Sequence, residues 1–174
     1  MHRPPVSLSR FAAVTLVLGS VACACPKVQL PSSDSTPPIL TWKVTNKATN
    51  AVQYFTGNAT IPASLGQQYE VKLTASDTGG VHEASLSGSS SWQCVSGQVA
   101  SNKGPTLGAV ETEKHDVWPS GEVCSEIEQF QDVGLSFDCQ AGYQFNGGSV
   151  TLTGTGKNFY GGVTTATLTF NVPP

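Results

Sequence analysis

The sequence predicts an all-β protein whose strands stack in two layers. Apolar and polar residues alternate most clearly in 69–76 and 165–172, and a period of two is typical of half-buried strands. Runs rich in Gly, Ser, Thr and Asn separate these stretches, as turns do. Charged residues make up 12% of the chain, roughly half the usual share of about 25%, which excludes a charge-driven disordered chain.

Length and charge narrow the classes of protein further. A chain of 174 residues fits a single domain. The net charge of −3 and the lack of a basic run leave no electrostatic footprint for nucleic acid. The only membrane contact that we expect is through the N-terminus.

The first 24 residues predict a secretory signal peptide. His2, Arg3 and Arg10 form a basic start, and Phe11 to Ala24 is uncharged and mostly apolar. This apolar run is shorter than the roughly 20 residues that a membrane-spanning helix needs. A basic leader followed by a short apolar run is the layout of a signal that is removed from the mature protein.

The end of this signal resembles a bacterial lipobox, because Ala22-Cys23 and Ala24-Cys25 each place a cysteine after a small residue. The resemblance implies a lipid on Cys23, with Cys25 as the alternative, and a protein anchored to the cell membrane. The position three residues before each cysteine is Ser20 or Ala22 instead of the favoured leucine. Ordinary cleavage after Ala24, which would release a secreted protein, therefore stays open.

Residues 25–38 predict a disordered, extended linker, because Pro26 to Pro38 is rich in proline and serine and lacks periodicity. The folded domain is then expected over 39–174. Its first strand is predicted at Ile39–Thr45 and its second at Ala51–Thr56, followed by a turn at Gly57-Asn58.

The centre of the domain is predicted around a polar corner. Tyr69, Val71, Leu73 and Ala75 share one face of a strand, and residues 77–80, Asp-Thr-Gly-Gly, then turn the chain. A bulged strand follows with Val81, Ala84 and Leu86 inward. Trp92 and Cys94 lie two residues apart, so both are expected to face the core.

This corner resembles the bacterial Ig-like or cadherin-like β-sandwich domains of exported proteins. The matching motifs are residues 73–77, LTASD, and 79–81, GGV. The strand pair 151–158 and 163–172 is similar to the closing strands of that family. The resemblance implies an antiparallel Ig-like sandwich outside the cytoplasm, and neither a ligand nor an activity.

The remaining elements are less regular. Residues 106–117 predict one edge strand, and 119–121 a turn. Residues 122–130 predict a strand or an irregular connection, with a helix as the weaker alternative. Asn146-Gly147 predicts a hairpin turn. The last strand is expected to turn Ala166, Leu168, Phe170 and Val172 inward.

Five cysteines in an exported chain predict disulfides. Cys94 and Cys139 both end alternating apolar runs, which predicts a bridge between them inside the core. Cys124 lacks an obvious partner. Lipidation of Cys23 would leave Cys25 to pair with Cys124, whereas lipidation of Cys25 would leave an odd thiol.

The sequence predicts no catalytic, cofactor or metal site. Glu111, Glu113 and His115 share a strand face, but they lack a fixed ligand spacing, and no nucleophile motif accompanies His82 or His115. Phe159 and Tyr160 lie in a loop that either binds a ligand or plugs the core. We therefore expect a non-enzymatic, envelope-anchored structural or interaction domain with an unknown protein or glycan partner. The alternative is a secreted binding module, for instance for carbohydrate, that uses this loop.

Overall fold

The computed structural model describes residues 25–107 and 110–174, and this part of the chain contains twelve strands and no helix. The strands are β1 (Lys27–Gln29), β2 (Ile39–Asn46), β3 (Val52–Thr56), β4 (Ala59–Pro62), β5 (Gln68–Ser76), β6 (Val81–Ser96), β7 (Val99–Leu107), β8 (Glu111–Lys114), β9 (Glu122–Cys124), β10 (Glu126–Gly134), β11 (Gln144–Asn158) and β12 (Val163–Val172). The signal peptide predicted at 1–24 lies outside the described residues.

Two sheets form the layers of a sandwich. One has four strands in the order β10-β5-β2-β3, and the other has six, with β4-β12-β11-β6-β7 in line and β8 also paired with β6. All pairs are antiparallel except β4 with β12. The predicted all-β class is thus confirmed, and the sandwich is compatible with an Ig-like domain.

The core lies between the sheets and is built from the alternating residues of each strand. On the four-stranded side, the inward residues of β2 and β5 are at most 6% exposed, as the period-two pattern predicted. Trp42 is the largest of the fully buried side chains, and its Nε1 donates to the Gly57 carbonyl at 2.9 Å. On the facing side, Leu168 and Phe170 of β12 are fully buried.

The corner at 77–80 has the predicted turn chemistry. Oδ1 of Asp77 accepts a hydrogen bond from the Gly79 amide at 2.8 Å, an interaction that side chains of this type often make two residues ahead. Gly80 has φ of +97°, where L side chains are strained. The expected bulge is also present, since the register between β6 and β11 shifts next to Val81.

Two predicted elements are wrong in detail. The stretch 106–117 is not a single edge strand. It contains the end of β7 and the whole of β8, which pair with different halves of β6. Asn146-Gly147 does not turn the chain, because β11 continues through it with a register shift between Phe145 and Gly148. Gly147 has φ of +92°, so its positive φ forms a bulge in a strand and not a hairpin.

The ambiguous stretch 122–130 is β9 followed by the start of β10, so the helical alternative is wrong. Val123 and Ile127 are buried, whereas Phe130 is 52% exposed. The apolar run that follows also departs from prediction. Strand β10 ends at Gly134, and the residues from Leu135 to Cys139 belong to the connection to β11.

Residues 25–38 pack on the domain instead of forming a free linker. Strand β1 pairs with β9, and the Ser125 amide donates to the Pro26 carbonyl at 2.8 Å. Composition predicted a free linker, and this prediction is wrong because the segment is held by contacts with residues distant in sequence, which a local pattern does not reveal.

Candidate functional site

The predicted disulfide between Cys94 and Cys139 is present. Cys94 of β6 is buried, whereas Cys139 is half-buried and belongs to the β10–β11 connection. An aromatic cluster surrounds the bridge, with the Phe137 ring 5.5 Å from Trp92 and 5.2 Å from Phe145. Trp92 is only half-buried there, and its Nε1 donates to the Asp138 carbonyl.

The predicted ligand loop holds the N-terminal segment. The Phe159 ring is half-buried and lies 4.9 Å from the His82 ring. Tyr160 is 43% exposed, and its hydroxyl donates to the Pro31 carbonyl. Both aromatic residues therefore have intramolecular partners, and the surface that they leave for a ligand is small.

Asn158 connects this loop to the N-terminal segment. Its side chain is buried and donates to the Thr36 carbonyl at 2.8 Å. Its Oδ1 accepts from the amides of Tyr160 at 3.0 Å and Gly162 at 2.7 Å. Three hydrogen bonds satisfy this buried amide, which explains why a polar residue is tolerated there.

The corner carries an unusual carboxylate. Oδ2 of Asp77 is buried without a hydrogen-bond partner. Burial raises the pKa of Asp77, the Gly79 amide acts against this rise, and the nearby Asp34 carboxylate adds to it. The carboxylates of Asp34 and Asp77 are therefore neighbours at the place where the N-terminal segment packs on the corner.

The outer face of the four-stranded sheet carries a row of aromatic and lysine side chains. Its central row runs straight across all four strands, because register pairs Tyr54 with Lys43, Lys43 with Lys72, and Lys72 with Phe130. Tyr54 is 67% exposed and Phe130 is 52% exposed. Strands lie about 4.8 Å apart, so the row spans roughly 14 Å.

The charges within this row are poorly matched for stability. Lys72 forms an ion pair with Glu128 at 2.5 Å, but Lys43 has no ion pair among the described residues. Like charges directly opposite each other destabilise a strand pair. Glu128 compensates the charge of Lys72 and leaves that of Lys43 without an ionic partner among the described residues. Sequence reasoning missed this row because the register between the strands was not known.

The second notable cluster surrounds the disulfide between Cys25 and Cys124. His115 approaches it, and the two Sγ atoms and one ring nitrogen all lie within 4.8 Å of one another. Nε2 of His115 is 2.7 Å from a carboxylate oxygen of Glu113. The other oxygen of that carboxylate accepts from the side chain of buried Gln129 at 3.0 Å.

Of the three residues that sequence grouped on one strand face, Glu113 and His115 meet and Glu111 stays exposed. Nδ1 of His82 contacts the His115 carbonyl at 3.0 Å. Within 25–107 and 110–174, neither histidine ring hydrogen-bonds to a serine or threonine hydroxyl. Cys23 lies outside the described residues, and Cys25 is engaged in the disulfide.

A scan against protein-family models and a search of curated proteins found no match to this chain. Among the described residues, no helix has the length and apolar character needed to cross a membrane. The two disulfides indicate an oxidising, extracellular environment.

Proposed function

We propose that this protein is a non-enzymatic Ig-like interaction domain, exported by a signal peptide over residues 1–24 and held at the cell envelope. The observation that carries the proposal is the open row of Tyr54, Lys43, Lys72 and Phe130 on the outer face of the four-stranded sheet. Tyrosine and other aromatic residues are enriched among the residues that dominate binding energy at protein interfaces.

Anchoring rests on the lipobox-like residues before the domain. Cys25 is bonded to Cys124, which favours Cys23 as the residue that carries the lipid. Two extended residues span about 7 Å, so a lipid on Cys23 would hold the domain close to the membrane. The extended linker that composition predicted over 25–38 does not fit this arrangement, because these residues pack on the sandwich.

Mass spectrometry of the mature N-terminal peptide tests the anchor. The expected result is a peptide that begins at Cys23 and carries the mass of a diacylglycerol and an acyl chain. A mature protein that begins at Cys25, or an unmodified N-terminal Cys23, would leave a secreted domain and remove the anchored form of the proposal.

The binding face has a direct test in the retention of the labelled soluble domain on isolated cell envelopes. The variant Tyr54→Ala/Phe130→Ala is expected to bind at least tenfold more weakly, since truncating a dominant interface residue costs about 2 kcal/mol or more. The matched control Val99→Ala/Val163→Ala changes two similarly exposed apolar residues on the other sheet. Equal retention of both variants and the unmodified domain would contradict the proposed face.

A secreted carbohydrate-binding module is the second candidate, and the same face favours it. Two exposed aromatic rings offer apolar area that suits the apolar face of a sugar, with Lys43 and Lys72 as hydrogen-bond donors between them. Treatment of the envelopes separates the two candidates. Loss of retention after protease treatment indicates a protein partner, and loss after periodate oxidation of sugars indicates a glycan.

A further inference from the structure

We propose that reduction of the disulfide between Cys25 and Cys124 creates a binding site for Zn²⁺, with these two cysteines and His115 as ligands. The two Sγ atoms and a ring nitrogen of His115 already lie within 4.8 Å of one another. Ligand sulfurs around tetrahedral zinc are about 3.7 Å apart, as bonds of about 2.3 Å require. Small side-chain rotations of the freed thiols therefore suffice to form the site.

The chemistry is a two-electron exchange followed by metal binding. A dithiol reductant attacks through its thiolate, its own sulfurs become a disulfide, and Cys25 and Cys124 each gain a hydrogen as thiols. Zn²⁺ then binds two thiolates and the neutral imidazole, and two protons are released. The charge of the two thiolates offsets that of the ion, which a site of low solvent exposure requires. While the disulfide is intact, its sulfurs carry no negative charge and do not hold the ion.

His115 has the support that a zinc-binding histidine usually has. A ligating imidazole donates its other ring N–H to a carboxylate or carbonyl, which fixes its tautomer and orientation. Coordination through Nδ1 leaves Nε2–H donating to Glu113 at 2.7 Å. Gln129, which is 6% exposed, donates to the second oxygen of that carboxylate. Three protein ligands leave the fourth position of a tetrahedron to water or another ligand.

The two cysteines stay adjacent without their covalent bond. Strand β1 pairs with β9, and Lys27 is directly opposite Cys124. The Ser125 amide donates to the Pro26 carbonyl at 2.8 Å, and the Leu30 amide donates to the Gly121 carbonyl at 3.0 Å. The His115 amide donates to the His82 carbonyl at 3.0 Å. These backbone hydrogen bonds fix all three ligand positions independently of the sulfur oxidation state.

The test measures Co²⁺ and Zn²⁺ binding to the protein carrying Cys94→Ser/Cys139→Ser, which isolates this cluster from the other disulfide. After reduction with a phosphine, the expected result is one Co²⁺ per chain with a sulfur-to-cobalt charge-transfer band, and displacement of Co²⁺ by Zn²⁺. The oxidised protein is expected to show no such band. His115→Asn is expected to weaken binding by more than the roughly 10- to 100-fold that loss of an orienting residue costs, and Glu113→Gln by about that amount.

The control is a second glutamate of the same strand. Glu111→Gln is expected to leave metal affinity unchanged, since this exposed side chain does not belong to the cluster. The proposal is overturned if reduced protein binds no metal, if Cys25→Ser/Cys124→Ser in the same background binds it equally well, or if His115→Asn has no effect. Loss of the β-sheet circular dichroism signal on reduction would overturn it as well, because the site requires β1 and β9 to remain paired.

Discussion

At the residue scale, the packing of Trp42 depends on the small residues that face it. Gly154 of β11 lies against Leu73 and Trp42, and an added Cβ would be 2.6 Å from Cδ2 of Leu73 and 3.0 Å from Cη2 of Trp42. Both neighbours are fully buried, so neither can move freely. Alternation placed Leu73 and Trp42 in the core, but the glycine opposite them follows from sheet-to-sheet packing, which one strand's pattern does not reveal.

The substitution Gly154→Ala is therefore expected to destabilise the fold. Overpacking a filled core costs about 1–3 kcal/mol, and this loss should appear in the free energy of unfolding measured with urea. Gly134→Ala is the matched control, because an added Cβ at that strand position has no atom within 4 Å. Equal stability of the two variants would contradict the tight contact between the sheets at Gly154.

Asp77 gives a prediction about pH. Its pKa is raised in the folded state by burial, with a further rise from Asp34, so the neutral form is the one that the fold favours. Its contribution to stability is fully present below the unfolded pKa, near the ordinary value of 3.8, and is lost as pH rises through the folded pKa. The free energy of unfolding that Asp77 contributes should thus fall with rising pH.

Asp77→Asn is expected to remove this dependence, because it removes the partly buried charge. The free energy of unfolding at neutral pH should rise by about 1 kcal/mol, since the side-chain oxygen of the asparagine still accepts from the Gly79 amide. Urea unfolding across the acidic range measures the effect. Asp116→Asn changes an exposed carboxylate and serves as the control. A loss of stability at neutral pH would contradict the prediction, because it would show that the charged form of Asp77 stabilises the fold.

At the scale of elements, the alternating pattern predicted the strands that bury one face against the opposite sheet. It failed for edge strands and for the N-terminal segment. β2, β5 and β12 each bury one face against the opposite sheet, so a period of two was enough to find them. β7 and β8 pair with different parts of β6, and the largely exposed β8 lacks the alternating burial that reveals a strand. Residues 25–38 lacked any pattern, because their order comes from Cys124, Asn158 and Tyr160.

The aromatic loop and the open sheet face are expected to give opposite results when truncated. Phe159→Ala/Tyr160→Ala removes a half-buried ring and the hydrogen bond to Pro31, and should lower the free energy of unfolding by about 2 kcal/mol, below the roughly 3–5 of a fully buried phenylalanine. Retention on cell envelopes should not change.

Tyr54→Ala/Phe130→Ala is the reciprocal control. Both rings are largely exposed, and exposed substitutions typically change stability by about 0.5 kcal/mol or less, whereas retention should fall. A reversal of the two patterns would return the ligand surface to the Phe159 and Tyr160 loop, as the secreted-module alternative supposed. Sequence alone identified that loop correctly as aromatic, but its partners, His82 and Pro31, are distant in sequence.

At the scale of the whole molecule, two disulfides close loops of different length. Cys25 and Cys124 are 99 residues apart, and Cys94 and Cys139 are 45 apart. In the chain-entropy account, closing these loops lowers the entropy of the unfolded chain by the equivalent of about 4.7 and 4.0 kcal/mol. The longer loop has the larger effect only while residues 25–38 remain packed on the domain. If the segment detached when its disulfide was absent, the loss of stability would be limited to the contacts of that segment.

Cys25→Ser/Cys124→Ser is therefore expected to lower the free energy of unfolding by at least as much as Cys94→Ser/Cys139→Ser, by roughly 3–5 kcal/mol. The hydrogen bonds from Asn158 to Thr36, from Tyr160 to Pro31 and between β1 and β9 should keep the segment packed. Urea unfolding gives the stability, and limited proteolysis of 25–38 in native conditions reports the segment. If that segment became cleavable while stability fell by less than in the other variant, its packing would depend on the disulfide alone, and the metal site proposed at Cys25, Cys124 and His115 would lose its framework.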